Sequence, residues 1–128
     1  MLVEAGYNQP INIDPNTLDE FKTVARLMWR EKNPLPIMDW LSNYFQVSRP
    51  GLRVGAQYDN HYNQSNRTIY IDKLSVVSLL HEFWHHAMHV QDQPNTEPDA
   101  RRFSVSLYAT AFPKLYQKMV EADRLIWA

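Results

Sequence analysis

Residues 76–90 constrain the fold most, because this segment contains no Gly or Pro and has the pattern of a largely apolar helix. With about 100° between successive helical residues, His81, Glu82 and His85 fall within one polar sector. About half of the helix circumference is continuously apolar. The residues concerned are Val76, Val77, Leu79, Leu80, Phe83, Trp84, Ala87, Met88 and Val90. The pattern predicts a central, buried helix whose polar face opens onto a cleft.

The polar sector contains an H-E-x-x-H motif, formed by His81, Glu82 and His85. Two imidazoles four residues apart lie on the same face of a helix, so both can reach one Zn²⁺ ion. Glu82 projects beside that face, where it can hold a metal-bound water and accept its proton. The motif therefore predicts zinc binding. The alternative is that both histidines are capped or salt-bridged side chains of a core helix.

A third zinc ligand must come from another part of the chain, since catalytic zinc takes three protein ligands and one water. The chain has no Cys, and no histidine follows His89, which lies a further helical turn along. A carboxylate of the next helix is therefore expected, with Glu97 favoured over Asp99. Without a metal, either residue would simply complement the helix dipole. Asp72, Asp99 and His89 are candidates for orienting a zinc-binding histidine through its other ring nitrogen.

The other helices are predicted where apolar residues recur at intervals of three or four. Their expected ranges are residues 17–30, 37–45, 97–112 and 114–127. A capping-box pattern beginning at Thr17 marks the start of the first helix. Pro113 is expected to break or kink the chain between the last two helices.

Two strands are predicted before the central helix, at residues 52–58 and 67–71. They are expected to form a hairpin joined by the long polar loop 59–66, in which His61 is a solvent-exposed residue. Residues 11–13 fit either a short strand or an extended lead-in. The fold class is therefore α+β, with helices packed around the central helix and a small antiparallel sheet.

Composition supports a single domain over residues 1–128 and argues against several classes of protein. Hydrophobic residues make up 45% of the 128 residues, which is enough for one core. The net charge is −1 and basic residues do not cluster, so direct nucleic-acid binding is not expected. No apolar run is long enough for a membrane span, and residues 1–7 lack the pattern of a secretory signal. A cytoplasmic protein of undetermined oligomeric state is expected.

The order of strand, H-E-x-x-H helix and E-x-x-A helix resembles the glutamate-ligand zincin metallopeptidases, and within them it is most similar to the ImmA/IrrE-like family. That family has a histidine four residues after the motif, as His89 is here, and then E-x-x-A-x-x-F-A and a leucine-rich helix ending in proline. The matching residues here run from Glu97 to Ser104 and on to Pro113. Trp84, Ser104 and the late Pro113 depart from the family pattern.

The resemblance covers residues 68–113 and implies a minimal zincin-like domain that spans the chain. It implies zinc ligands at His81, His85 and Glu97 and a catalytic base at Glu82. The implied activity is zinc-dependent hydrolysis of a peptide bond in a protein or peptide, for example a regulatory protein such as a transcriptional repressor. The alternative is a catalytically inactive, zinc-stabilised protein-interaction module with the same ligands.

Overall fold

A computed structural model describes residues 11–122, and these residues form an α+β fold. Within them, five helices and three strands follow in the order α1, α2, β1, β2, β3, α3, α4 and α5. Their bounds are Pro15–Glu31 (α1), Leu35–Phe45 (α2), Gly51–Val54 (β1), His61–Asn63 (β2), Thr68–Ile71 (β3), Val76–Val90 (α3), Glu97–Ala111 (α4) and Pro113–Glu121 (α5). The predicted fold class is confirmed, while the zincin-like arrangement and the extent of the domain stay predictions.

The first two helices begin earlier than their sequence patterns predict. Asp14 caps α1 by accepting the backbone N–H of Thr17 at 3.1 Å, so the helix starts at Pro15, before the predicted capping box. Proline suits the first helical turn, where its missing N–H has no partner to lose. The same reasoning explains why α2 starts at Leu35, with Pro36 in its first turn. α1 packs against α2 and also contacts α4.

The sheet is mixed and has the strand order β1-β3-β2. β2 pairs antiparallel with β3, with Tyr62 opposite Ile69. β1 pairs with the other side of β3 and runs parallel to it, with Leu52 opposite Ile69. The predicted hairpin between segments 52–58 and 67–71 is therefore wrong, as is the wholly antiparallel sheet.

A short local hairpin explains this difference. The polar segment that was predicted to be only a loop supplies β2, which turns back directly into β3. In the turn, Asn63 Oδ1 accepts the backbone N–H of Ser65 at 2.9 Å, and Arg67 has a φ of 50°. Closing this short loop costs less entropy than closing the longer one between β1 and β3. β2 thus takes the antiparallel position, and β1 pairs on the opposite edge.

The helix predicted over residues 76–90 is present as α3. Ser75 caps it by accepting the backbone N–H of Ser78 at 3.3 Å. Ten of its residues are buried, including Leu80 and Phe83, which are wholly excluded from solvent. The helix packs against α4 on one side and against β2 and β3 on another. It therefore holds its polar residues between α4 and the edge of the sheet.

Pro113 separates the last two helices as predicted, since α4 ends at Ala111 and α5 begins at Pro113. The last helix was predicted to reach residue 127, but residues 123–128 lie outside the described part of the chain, as do residues 1–10. Residues 11–13 form neither helix nor strand, in agreement with an extended lead-in. None of the helices described within residues 11–122 is long and apolar enough to cross a membrane.

Candidate metal centre

Three side chains from two helices converge at one point. His81 and His85 lie on α3, and Glu97 is the first residue of α4. The Oε1 atom of Glu97 is 2.6 Å from His85 Nε2 and 3.3 Å from His81 Nε2. One ligand atom from each residue lies within 4.8 Å of the others. The group could therefore hold a metal ion.

The start of α4 brings Glu97, and not Asp99, to the two histidines. Thr96 caps the helix, accepting the backbone N–H of Asp99 at 3.3 Å and donating its hydroxyl to Asp99 Oδ2 at 2.9 Å. Arg102 donates to the other carboxylate oxygen of Asp99 at 2.5 Å. Asp99 is thus engaged in the first turn of α4, where a negative charge complements the helix dipole. Of the two carboxylates considered for the third ligand, the structure places Glu97 beside the histidines.

Asn95 fixes the orientation of the His85 ring. Its Nδ2 donates to the backbone carbonyl of His85 at 3.2 Å, which directs its Oδ1 to His85 Nδ1 at 2.5 Å. Since this amide oxygen can only accept, His85 Nδ1 carries a proton. Nε2 is then the ring nitrogen left to face the Glu97 carboxylate, at 2.6 Å. A proton or a metal ion between this nitrogen and the carboxylate oxygen would satisfy both atoms, so the donor set is one that can hold a metal ion.

The sequence did not indicate Asn95. Asp72, Asp99 and His89 were the predicted candidates for orienting a zinc-binding histidine, but within residues 11–122 none of them hydrogen-bonds to His81 or His85. Asn95 lies in the loop before α4, and no spacing rule connects such a residue to the H-E-x-x-H motif. Only its proximity in space reveals its role.

His81 is almost completely buried, with 1% of its surface exposed. Burial lowers the pKa of His81 to about 4, although the nearby charge of Glu97 acts in the opposite direction. The ring is therefore neutral at pH 7, which is the state that binds metals. Its Nδ1 atom is buried and has no hydrogen-bond partner within residues 11–122. No neighbour there fixes the His81 tautomer in the way that Asn95 fixes that of His85.

The Glu97 side chain is the exposed member of the group, with 56% of its surface accessible. Partial burial of the Glu97 carboxyl group acts to raise its pKa. The two neighbouring histidines outweigh this effect and keep the pKa of Glu97 below its usual value. Arg101, one turn later on α4, places its Nε 4.0 Å from Glu97 Oε2. Glu97 is therefore a carboxylate at neutral pH, as a metal ligand must be.

Glu82 lies beside this group and is 3% exposed. Its Oε2 is 3.9 Å from His81 Nε2. Burial, with a contribution from the negative charge of Glu97, raises the pKa of Glu82 to about 8. A carboxyl group with so high a pKa holds and releases a proton near neutral pH, as a general base or acid must.

An open, mainly polar cleft of about 320 Å³ contains the group. One wall is formed by α3 and the start of α4, and the other by β2 and its flanking residues. The lining residues are Asn60, His61, Tyr62, Gln64, His81, Glu82, His85, Asn95 and Glu97. His61 is exposed as predicted, but its ring is also held flat on Tyr70, with centroids 4.7 Å apart, and its Nδ1 donates to the carbonyl of Asp59 at 2.8 Å.

A larger cavity, of about 400 Å³, lies elsewhere and includes Trp84 and Phe103 in its mainly apolar lining. None of the three candidate ligands lines it, nor does Glu82. This cavity is therefore separate from the candidate metal centre, although it is the larger of the two.

A second histidine cluster lies on α3 beyond the motif. The Tyr62 hydroxyl is 2.9 Å from His86 Nδ1 and 3.0 Å from His89 Nδ1. The other ring nitrogen of His86 donates to the carbonyl of Ser48 at 2.8 Å. The pKa of His86 is lowered, mainly by burial. No pattern in the sequence marks Tyr62 or His86. Among the hydrogen bonds of residues 11–122, His89 is joined to Tyr62 and to none of the three candidate ligands.

Comparison of the chain with protein-family models, with curated proteins and with solved structures finds no match. The resemblance to the glutamate-ligand zincins therefore depends on the motif residues alone and stays a prediction.

Proposed function

We propose that this protein is a zinc-dependent peptidase, with His81, His85 and Glu97 as the zinc ligands. The observation that carries the proposal is the convergence of these three side chains in an open cleft, with the buried Glu82 beside them. Two imidazoles and one carboxylate form a donor set found in catalytic zinc sites. Two histidines and a carboxylate also serve Fe(II) in some enzymes, but the H-E-x-x-H spacing on one helix favours zinc.

Each residue then has a defined task. Zinc bound there would polarise the scissile carbonyl and lower the pKa of a coordinated water. Glu82, on the floor of the cleft, accepts the proton of the attacking water and later delivers it to the leaving amine. Its high pKa in the protein without metal reflects burial beside another carboxylate. A nearby cation would lower that pKa, so Glu82 would be ionised when it is needed as a base.

The cleft suits an extended peptide. β2 is an edge strand of the sheet described here, and His61 and Tyr62 of this strand line the cleft. An edge strand offers unpaired backbone groups that can pair with an extended chain. β3 cannot serve this purpose, because it is the central strand and is paired on both sides. We therefore assign substrate pairing to β2, and a regulatory protein such as a repressor remains the proposed kind of substrate.

The test combines metal analysis with one conservative substitution. Purified protein should contain one zinc per chain and should cleave a mixed peptide library in a chelator-sensitive manner. Glu82→Gln should keep the zinc and lose about 10²- to 10⁴-fold in kcat, the usual contribution of a general acid or base. Glu31→Gln is the matched control, because it makes the same change at the exposed end of α1.

Three outcomes separate the alternatives. Cleavage retained by Glu82→Gln would refute the assigned base. Stoichiometric zinc without turnover of any library peptide would favour the inactive, zinc-stabilised interaction module. Protein that binds no divalent metal would refute both.

A further inference from the structure

The Tyr62 hydroxyl lies between two imidazoles of α3, and the direction of each hydrogen bond can be assigned. The carbonyl of Ser48 can only accept, so His86 Nε2 carries the proton in the 2.8 Å bond between them. In the neutral ring, His86 Nδ1 is then an acceptor, and the Tyr62 hydroxyl donates to it at 2.9 Å. The Tyr62 oxygen in turn accepts from His89 Nδ1 at 3.0 Å.

This chain of hydrogen bonds connects three separate parts of the fold. His86 and His89 belong to α3, Tyr62 is the middle residue of β2, and Ser48 precedes β1. The two rings also contact Tyr62 face to edge or at an angle, with centroids 5.3 Å from His86 and 5.7 Å from His89. The contact between β2 and α3 therefore depends on a polar group that is satisfied from two sides.

β2 needs such an anchor because it is short. It contains three residues, and within the described part of the chain it pairs with β3 alone. Near the cleft, two further side-chain contacts hold it: the His61 ring lies flat on Tyr70, with centroids 4.7 Å apart, and Asn60, just before β2, accepts the backbone N–H of Asp72 at 3.0 Å and donates to Ser78 Oγ at 3.3 Å. An isolated pairing of this length is marginal by itself. The position of the cleft wall that carries His61 thus depends strongly on Tyr62.

We propose that Tyr62 is a positioning residue whose hydroxyl, held between His86 and His89, fixes the edge strand β2 beside the metal centre and thereby sets the affinity for substrate. The effect on substrate rests on the function proposed above. The effect on β2 does not, because it follows from the hydrogen bonds alone.

Tyr62→Phe is the informative variant, because it keeps the ring and removes only the hydroxyl. Both imidazoles then lose their shared partner, and the largely buried His86 is left with an unsatisfied nitrogen. Water can reach the buried nitrogen of His86 if β2 moves away from α3. Backbone amides of residues 61–63 should therefore exchange with solvent about 10-fold faster than in the wild type, a change expected for local opening.

Enzymatic readouts separate positioning from general destabilisation. Tyr62→Phe should raise KM for a library peptide about 10-fold, leave kcat within about 2-fold and keep one zinc per chain. Tyr58→Phe is the matched control, since Tyr58 lies in the preceding loop and makes its ring contact with Tyr70. This control should change neither the exchange rates of β2 nor KM.

A second variant keeps the test decisive if Tyr62→Phe folds poorly. His89→Gln removes one side of the anchor at a half-buried position, and it should produce a smaller change in the same amides and in KM. The double variant should be no worse than Tyr62→Phe alone, because both changes break the same chain of contacts. Additive effects would contradict a shared anchor.

Unchanged exchange of residues 61–63 in Tyr62→Phe would overturn the proposal, and so would a loss of kcat or of zinc at constant KM. If the wild-type protein cleaves no peptide, the function proposed above fails. The exchange rates of β2 would still decide whether the hydroxyl holds the strand.

Discussion

Replacing Asn95 with Ala should weaken metal binding although Asn95 is not a ligand. The substitution removes two hydrogen bonds to His85, one of 2.5 Å to its Nδ1 and one of 3.2 Å to its backbone carbonyl. Without them, His85 can rotate, and its proton can move to Nε2, the nitrogen that faces Glu97. Both changes reduce the fraction of molecules that present a lone pair to the metal.

The expected size of this effect follows from the contacts. A hydrogen bond contributes about 1 kcal/mol net, so the two bonds correspond to about 2 kcal/mol. This value agrees with the roughly 10- to 100-fold loss in affinity that is typical when the hydrogen-bond partner of a metal-binding histidine is removed. Asn95→Ala should therefore raise the zinc Kd by about 30-fold, with the fold retained.

Competition between the protein and a chromogenic chelator would measure the zinc Kd. Asn43→Ala is a suitable control, because Asn43 is exposed on α2, away from the cleft. Asn95→Asp would be a second comparison, since a carboxylate can also accept the proton of His85 Nδ1 and should restore most of the affinity. A zinc Kd for Asn95→Ala within about 2-fold of the wild type would refute the assignment of the His85 tautomer.

Three further predictions concern the same centre. His81→Ala should weaken zinc binding by more than about 100-fold in the same competition assay, because a ligand is lost and not only its support; an unchanged Kd would exclude His81 from the site. Removing the metal with a chelator should lower Tm by about 15 °C, since free zinc at about 1,000 times its Kd stabilises the folded state by about 4 kcal/mol; equal melting curves would show that the metal does not join α3 to α4. In the metal-free protein, Glu82 binds its proton more tightly in the folded state, because folding raises its pKa from 4.5 to about 8. Folding lowers the pKa of His81 from 6.5 to about 4, which opposes this effect only below pH 6.5. The free energy of unfolding should therefore fall between pH 6.5 and 8, by up to about 1.4 kcal/mol per pH unit, and Glu82→Gln should abolish this slope in denaturation curves.

Local patterns in the sequence predicted the parts of the structure that depend on neighbouring residues. The continuous apolar surface of residues 76–90 was sufficient to predict α3, because helical periodicity places these residues on one buried face. The same periodicity placed His81 and His85 side by side. Sequence order alone put both Glu97 and Asp99 at the start of the next helix; the contacts of Asp99 with Thr96 and Arg102, which separate the two, are visible only in the structure.

Features that depend on contacts between distant residues could not be predicted in this way. To predict the mixed sheet, one must know which of two segments lies antiparallel to β3. The polar composition of β2 did not indicate a strand. Tyr62 meets His86 and His89 across 24 and 27 residues of sequence. Asn95 acts through a hydrogen bond from a loop. Neither contact has a periodic signal in the sequence.

The unequal exposure of the three candidate ligands has a consequence for how an ion enters and leaves the centre. His81 and His85 are held within the protein, with side-chain exposures of 1% and 12%, whereas 56% of the Glu97 side chain is open to solvent. An ion bound by this group would therefore meet the carboxylate first on its way in from solution and then pass inward to the imidazoles. Departure would follow the reverse order, so substitution of Glu97 should speed the extraction of the ion by a chelator.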